Sequence, residues 1–544
     1  MKKLQVASLA VLCALATATA QGEPIRTITP AEYLDRMQGG WIGQIIGVGW
    51  ALPTEFKFPS KIVPEDKVPE WKPERIDQHF NDDIFFNVGA LQLVDRTGLD
   101  APPLEVAIAW LNSQGRRSGV AFWGRVGIAP PDLAHPRYSG SGKWSYANLH
   151  MFSDFAGLVS PGMPGHAADL IDRFTVKSCE TRYDGRFVAA LTAEAFFERD
   201  PQALVRAGLE VIPPDSQYAE AVRDIVRWHA EAPDDWQATW RRIQEKYFEN
   251  PDYLHGLDPG PGTADAKVHG AYVVLGLLYG GGDLARSVVL TMRCGQDSDC
   301  SASNTGGILG VALGASGIPA RFTEQLDVKR PFNHVDWNLE QCYEACERLA
   351  RLAVTRCGGR VDPESWHVAD FDYDPGPYMK WWAPPPTEGS VFSDEEMRRL
   401  NVVALRWALP KFFPGWTPQN YAWSSSMKWS REGREKVLTL DPQDPARPVV
   451  LKSSRAVPDE GPAGLPLAAG GDRPWKLEVR VDGQAVAAHE VGTDASHFWT
   501  EAPLDLAPWR GREVTVELAA SYTPGTEKAD RPDMCLAGLA GPKP

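Results

Sequence analysis

Glycine recurs at every fourth position through Gly306, Gly310 and Gly314. On a helix this spacing gathers the glycines into one smooth stripe, so a neighbouring backbone can come close, and the chain is committed there to tightly packed helices. Two carboxylates, Asp297 and Asp299, flank Ser298 just ahead of the stripe. An N-terminal helical turn would present both on one side, where oxygen ligands suit a hard divalent cation such as Mg2+. The alternative for this pair is simple helix capping, because acidic groups favour any first turn.

Asn81, Asp82 and Asp83 open a second apolar helical run, Ile84 to Leu91. Adjacent helical side chains point about 100° apart, so both aspartates reach one centre only from an irregular first turn, and a cap alone needs no doublet. Two acidic helix starts more than two hundred residues apart can together supply the carboxylates of a two-metal centre. Upstream, Gly39, Gly40, Gly43, Gly47 and Gly49 mark another glycine-spaced helix, which stops at Pro53-Thr54 with Glu55 immediately after it.

A G-x-x-x-G helix leading to P-T-E, then an acidic doublet, then G-x-D-x-D before a Gly/Ala helix resembles the ADP-ribosylglycohydrolase family. Ser160-Pro161-Gly162-Met163-Pro164 and Arg186 to Leu191 are similar to segments between the two acidic motifs of that family, so the resemblance spans roughly residues 35 to 320. It implies Mg2+, two ions with Mn2+ as an alternative, held by Asn81, Asp82, Asp83, Asp297, Asp299 and Cys300. Glu55 is then the residue that positions or deprotonates water, and Gly162, Met163 and Trp144 are the substrate-binding candidates. Four positions depart from the family pattern. Asn81 and Ile84 flank the doublet where the family usually has Thr, Cys300 replaces a hydroxyl, and Val48 stands where Asp is common. A thiol is a soft ligand for a hard ion, so the ion nearest Cys300 is expected to be the weaker.

With 544 residues the chain exceeds the usual single-domain size, so two domains are expected. Lys2 and Lys3, the apolar run Leu9 to Leu15 and Ala18-Thr19-Ala20 read as a signal peptide over residues 1–20, which predicts an exported protein, periplasmic or extracellular. No later segment is long and apolar enough to span a bilayer. A net charge of −15 offers no field for a nucleic-acid backbone, so nucleic acid is excluded as a partner. After cleavage seven cysteines remain: Cys179, Cys294, Cys300, Cys342, Cys346, Cys357 and Cys535. Cys342 and Cys346, one turn apart, suit a buried helix face as small hydrophobes, and disulfides are the alternative in an oxidising compartment.

Apolar spacing of three and four predicts helices over 165–174, 185–198, 202–211, 217–231, 234–248, 268–279 and 284–292, and one begun by an Asn338/Gln341 capping box. Lys57 to Phe80 is a proline-punctuated loop placed near the site entrance, and Gly115 to Ser145 is rich in Gly, Pro and aromatic residues that either line a pocket or pack as loop. His166 and His269 read as packing residues rather than ligands. Without strand alternation, residues 21–375 are expected to form an all-α catalytic domain. A proline-rich linker and bridging helix, Glu395 to Ala408, occupy 376–425. Over 426–544 the period changes to two, with Lys476 to Val481, an Asp482-Gly483 turn, Gln484 to Val491 and Arg512 to Leu518, which predicts a smaller all-β sandwich. Trp475, Trp499 and Trp509 make it either a sugar-contacting or a purely structural module.

The chemistry so implied is hydrolysis of an N- or O-glycosidic bond at the anomeric carbon of an ADP-ribosyl-like substrate. The alternatives are an exported glycosidase acting on a glycan or other glycoside, and a binding protein that kept the fold without catalysis.

Overall fold

A computed structural model describes residues 25–112, 150–174, 182–255, 265–333, 335–380, 382, 393, 395–396, 399–400, 402–422, 425–494, 496–523 and 531–539. The signal-peptide reading, Trp144 and Cys179 lie outside these residues. The helices are α1 (Pro30–Ala51), α2 (Asp82–Thr97), α3 (Pro103–Asn112), α4 (Asp154–Leu158), α5 (Pro164–Phe174), α6 (Arg182–Glu194), α7 (Pro201–Glu210), α8 (Gln217–Glu231), α9 (Trp236–Ile243), α10 (Pro251–Leu254), α11 (Ala266–Gly280), α12 (Leu284–Arg293), α13 (Ser298–Leu313), α14 (Leu339–Arg356) and α15 (Leu405–Phe412). All but α15 precede residue 360, and most pack around one core that runs from Ile28 to Val368.

Local chemistry explains the helix ends. Thr29 and Glu32 form a capping box at α1, with Pro30 at its first position. Asn338 and Gln341 do the same for α14. Gly281, left-handed at φ +64°, closes α11.

α1 and α13 cross at glycine. A Cβ placed on Gly43 would lie 2.0 Å from the Gly306 carbonyl oxygen, one on Gly47 2.1 Å from that of Ala302, and one on Gly310 2.1 Å from that of Gly39. The glycine stripes of both helices therefore face each other, backbone on backbone. This seam fixes the end of α1, just before Glu55, against the start of α13, which carries Asp297 and Asp299.

Two features differ from the sequence expectation. The first domain is helical but not purely so: β1 (Arg26–Ile28) pairs antiparallel with β3 (Trp366–Val368), which pairs with β2 (Arg360–Val361). The buried Trp366 ring packs on Tyr33 of α1 at 4.7 Å. Strands of two and three residues are too short to show alternation. The predicted helix Glu395 to Ala408 is also interrupted, with residues 395 and 396 helical and a second helical stretch beginning at Leu405. Ser393 and Glu396 do exchange capping hydrogen bonds, but β4 (Val402–Ala404) and then α15 follow, because the β-branched pair Val402-Val403 suits a sheet edge.

The C-terminal domain is a β-sandwich. One sheet has the order β13-β10-β16-β7-β6-β4 and the other β12-β11-β15-β8-β5. Here β5 is Trp416–Gln419, β6 Ser426–Arg431, β7 Arg434–Leu440, β8 Val449–Ala456, β10 Ala468–Gly470, β11 Trp475–Val481, β12 Gln484–Val491, β13 Trp499–Glu501, β15 Glu513–Tyr522 and β16 Met534–Ala537. A short pair, β9 (Gly464–Leu465) and β14 (Leu504–Asp505), lies beside them. Asp482 and Gly483, both at positive φ, turn the predicted hairpin. Trp475 is a core residue, whereas Trp499 is half-buried and donates from Nε1 to the Glu432 carbonyl. Ile108 of α3 is buried within the sandwich core, and Arg399 pairs with Glu105 of the same helix.

Among the described residues the cysteines are free thiols, Cys342 and Cys346 buried on one face of α14. No helix among those residues is long and apolar enough to cross a membrane.

Candidate metal centre

The start of α2 decides between cap and ligand for its acidic residues. Asn81 is the cap, its side-chain oxygen accepting from the Asp83 amide at 2.9 Å. That oxygen is committed to the helix, while the Asn81 amide donates to Asp299 Oδ2 at 3.4 Å. The doublet is thus not needed for capping. Asp83 turns inward and is buried, and Asp82 stays exposed at the rim. At α13 the cap position belongs to Asp297, yet its carboxylate makes no cap hydrogen bond and lies against Asp299.

The connection between helices is equally specific. Thr54 and Ser298 share a hydroxyl hydrogen bond of 2.8 Å. The Phe56 amide donates to the Gln296 carbonyl at 2.7 Å, and the Gln296 amide to the Phe58 carbonyl at 3.2 Å. Phe56 and Gln296 both sit at positive φ, a conformation that costs energy for residues with side chains and gathers at functional sites. Gly295 is required between them and α12, since a Cβ there would lie 2.4 Å from the Lys61 carbonyl oxygen. The loop from Lys57 onward is therefore stitched to the site at its first turn.

These elements bring Glu55, Asp83, Asp297, Asp299 and Cys300 together in two sets. Ligand atoms of Asp83, Asp299 and Cys300 lie within 4.8 Å of one another, as do those of Glu55, Asp297 and Asp299. Asp299 belongs to both, as a carboxylate bridging two cations would. Its Oδ1 is buried with no hydrogen-bond partner, which is costly unless something positive meets it. Cys300 donates its thiol hydrogen to Asp83 Oδ1 at 3.0 Å. The donor set fits divalent cations: hard oxygens dominate, with one soft sulfur on the Asp83 side.

Crowding of like charge shows in the titration. Burial, then Asp299 and Asp82, push the Glu55 carboxyl up to about 7. Burial and the surrounding aspartates hold Asp83 well above the usual carboxylate range, and burial and Asp297 do the same to Asp299. A carboxyl raised on folding binds more protons in the native than in the unfolded state, so its contribution to stability falls as pH rises above the ordinary carboxylate value. In EDTA, Asp299→Asn should therefore melt a few degrees above the wild type, by a margin that widens from pH 5 to pH 8. Burial holds His166 and His269 low, which moves both proteins the opposite way and cancels in the difference. Scanning fluorimetry measures it, and a margin that narrows with pH refutes the crowding.

The other expected residues lie elsewhere. Gly162, at φ +68°, donates its amide to the Ala193 carbonyl at 2.8 Å. Met163 is wholly buried in the helical core, outside the acidic cluster. Asp82 joins neither set, and Val48 is core. His166 is held by the Ser160 hydroxyl at 2.7 Å, as a packing residue.

Sequence reasoning passed over Asn87, Asn304 and Asp154, which lie beneath the cluster. The available signal was spacing: Asn87 and Asn304 follow Asp83 and Cys300 by four residues, one turn deeper on the same helix face. Burial raises Asp154 to about 7, opposed by the amides of Asn304 and Asn87.

A sequence profile described as ADP-ribosylglycohydrolase matches residues 29–359. No curated protein matches. Among solved structures the chain is similar to one described as "ADP-ribosylglycohydrolase-related protein complex", at 18% identity and a TM-score of 0.35, over 59% of this chain and 99% of that one.

Proposed function

We propose, from the premise that this chain belongs to the ADP-ribosylglycohydrolase family, that it hydrolyses the glycosidic bond at the anomeric carbon of an ADP-ribosyl-like substrate with the help of divalent cations. The observation that carries the reading is the pair of ligand sets sharing Asp299, with one buried oxygen of that residue unpartnered. Asp83, Asp297 and Asp299 would hold two Mg2+ ions, with Asp82 closing from the rim. Bound there, the cations would grip sugar hydroxyls and offset charge.

The chain's own residues do the rest. Glu55, half-buried beside the ligand sets, takes a proton from the attacking water. Thr54 and Ser298 keep it in place through their shared hydrogen bond. Residues 1–20 direct the protein out of the cytoplasm, and the sandwich is available for glycan contact.

The test is release of ADP-ribose from an ADP-ribosylated protein in Mg2+, run beside a glycan panel. We expect release that EDTA stops and that Asp82→Asn and Asp297→Asn abolish without unfolding the helical domain. Near-normal turnover by Asp297→Asn in saturating Mg2+ would sink the assignment. Sugar release from the glycan panel alone selects the glycosidase. No release and no thermal shift with any cation selects a binding protein.

Cys300 makes the two cation positions unequal. Titration of the reduced protein with Mg2+ and Mn2+ should give one tight and one weak position, and Cys300→Thr should strengthen the weak one several-fold for Mg2+ by replacing a soft donor with a hard one. Two equal tight positions in the wild type refute this.

A further inference from the structure

We infer that the segment His150 to Phe155, which includes Asp154, is a clasp that sets the distance between the two ligand-bearing helices, and that Asn87 and Asn304 are its positioning residues. The inference rests on the acidic cluster holding a divalent cation. α2 and α13 each carry one buried asparagine a turn below their last candidate ligand, and both asparagines reach the same short segment. Asn87 donates to the Met151 carbonyl at 2.8 Å and accepts from the Phe155 amide at 3.1 Å. It also donates to the carbonyl of Asp83 at 3.1 Å, which ties it to the ligand turn itself. Asn304 donates to Asp154 Oδ2 at 2.7 Å and to the His150 carbonyl at 3.0 Å, while its oxygen meets His150 Nδ1.

Asn87, Asp154 and Asn304 are fully buried, so water cannot substitute for a lost partner and each bond has one geometry. The α1 seam locates α13, and one turn below the direct Cys300–Asp83 and Asn81–Asp299 hydrogen bonds the clasp joins α13 to α2 a second time. Groups that orient metal ligands from behind typically contribute 10- to 100-fold in affinity. A clasp that acts through spacing should weaken the Asp83–Asp299–Cys300 position and spare the Glu55–Asp297–Asp299 position, whose residues lie on α13 and the end of α1.

The experiment is calorimetric titration of the full chain with Mn2+, well below the melting temperature, for wild type, Asn304→Ser, Asp154→Ala, Asp154→Asn and Ile225→Ala. Ile225 is buried in α8, outside the centre, and reports plain destabilisation. We expect Asn304→Ser and Asp154→Ala to weaken one Mn2+ position about 10- to 100-fold. Asp154→Asn, which keeps an acceptor for Asn304, should recover most of that loss, and Ile225→Ala should lower the melting temperature with Mn2+ affinity unchanged. Wild-type affinity in Asn304→Ser and Asp154→Ala overturns the clasp while leaving the cation reading intact. Equal weakening in Ile225→Ala also overturns it, because the effect would then be general loosening. A wild type that binds no Mn2+ overturns the cation reading and the clasp together.

Discussion

Replacing Glu55 by glutamine should cut turnover by about a hundred- to ten-thousand-fold, the range of a positioned general base, while cation affinity stays within a few-fold of wild type. The amide keeps the shape of the side chain and the 3₁₀ turn before it, Leu52–Thr54, with its hydrogen bond to Ser298. What it loses is the carboxylate oxygen that accepts the proton of the attacking water. Single-turnover kinetics with ADP-ribosylated protein reads the first half and calorimetry the second. Lost cation binding would mean that Glu55 acts as a ligand in the set it shares with Asp297 and Asp299. Turnover within three-fold of wild type would remove it from the mechanism.

The second large effect comes from the seam. Gly43→Ala places a methyl group 2.0 Å from the Gly306 carbonyl oxygen, against backbone on both sides. No rotamer change relieves that contact, so α1 and α13 must part. Overpacking usually costs about 1–3 kcal/mol, and a clash with main chain belongs at or above the top of that range. Denaturant unfolding should show the helical domain losing at least about 3 kcal/mol, with the sandwich transition moving less, because most residues of its core come from the C-terminal strands. The displaced α13 should also weaken Mg2+ binding, since α1 and α13 bring Glu55 to Asp297 and Asp299. A variant with unchanged helical-domain stability would show that the two helices do not meet as described.

Much of this was legible because it is local. Four-residue glycine spacing predicts close helix approach, and capping chemistry at Thr29, Asn338 and Gly281 predicts helix ends, from residues adjacent in sequence. The acidic residues could be nominated for the same reason, and Glu55, Asp83, Asp297, Asp299 and Cys300 do converge. What remained hidden depends on partners distant in sequence. β1 has three residues and exists only through Trp366 to Val368. The Asn81 oxygen and the Asp82 carboxylate look equivalent to Asp83 as ligands until backbone geometry turns the first to the cap and leaves the second at the rim. Met163 is a substrate-binding candidate through the family resemblance of its segment, but its unbranched side chain fills the core. Asn87 and Asn304 carry no charge and so drew no notice, although burial makes their hydrogen bonds consequential.

The glycine seam also has a cost in time. Thr54 and Ser298 are 244 positions apart, so at roughly 5–20 residues per second of synthesis α1 waits about 12–50 seconds for the helix it must touch. Until then its smooth face is bare main chain, and it discriminates poorly among partners, because any helix with small residues four apart can lie against it, including the same helix of a neighbouring nascent chain. The contact that makes the finished site rigid is thus the one most open to premature pairing. Aggregation during refolding should accordingly depend on protein concentration more steeply than for a helical protein of equal size whose closest contacts are between successive helices.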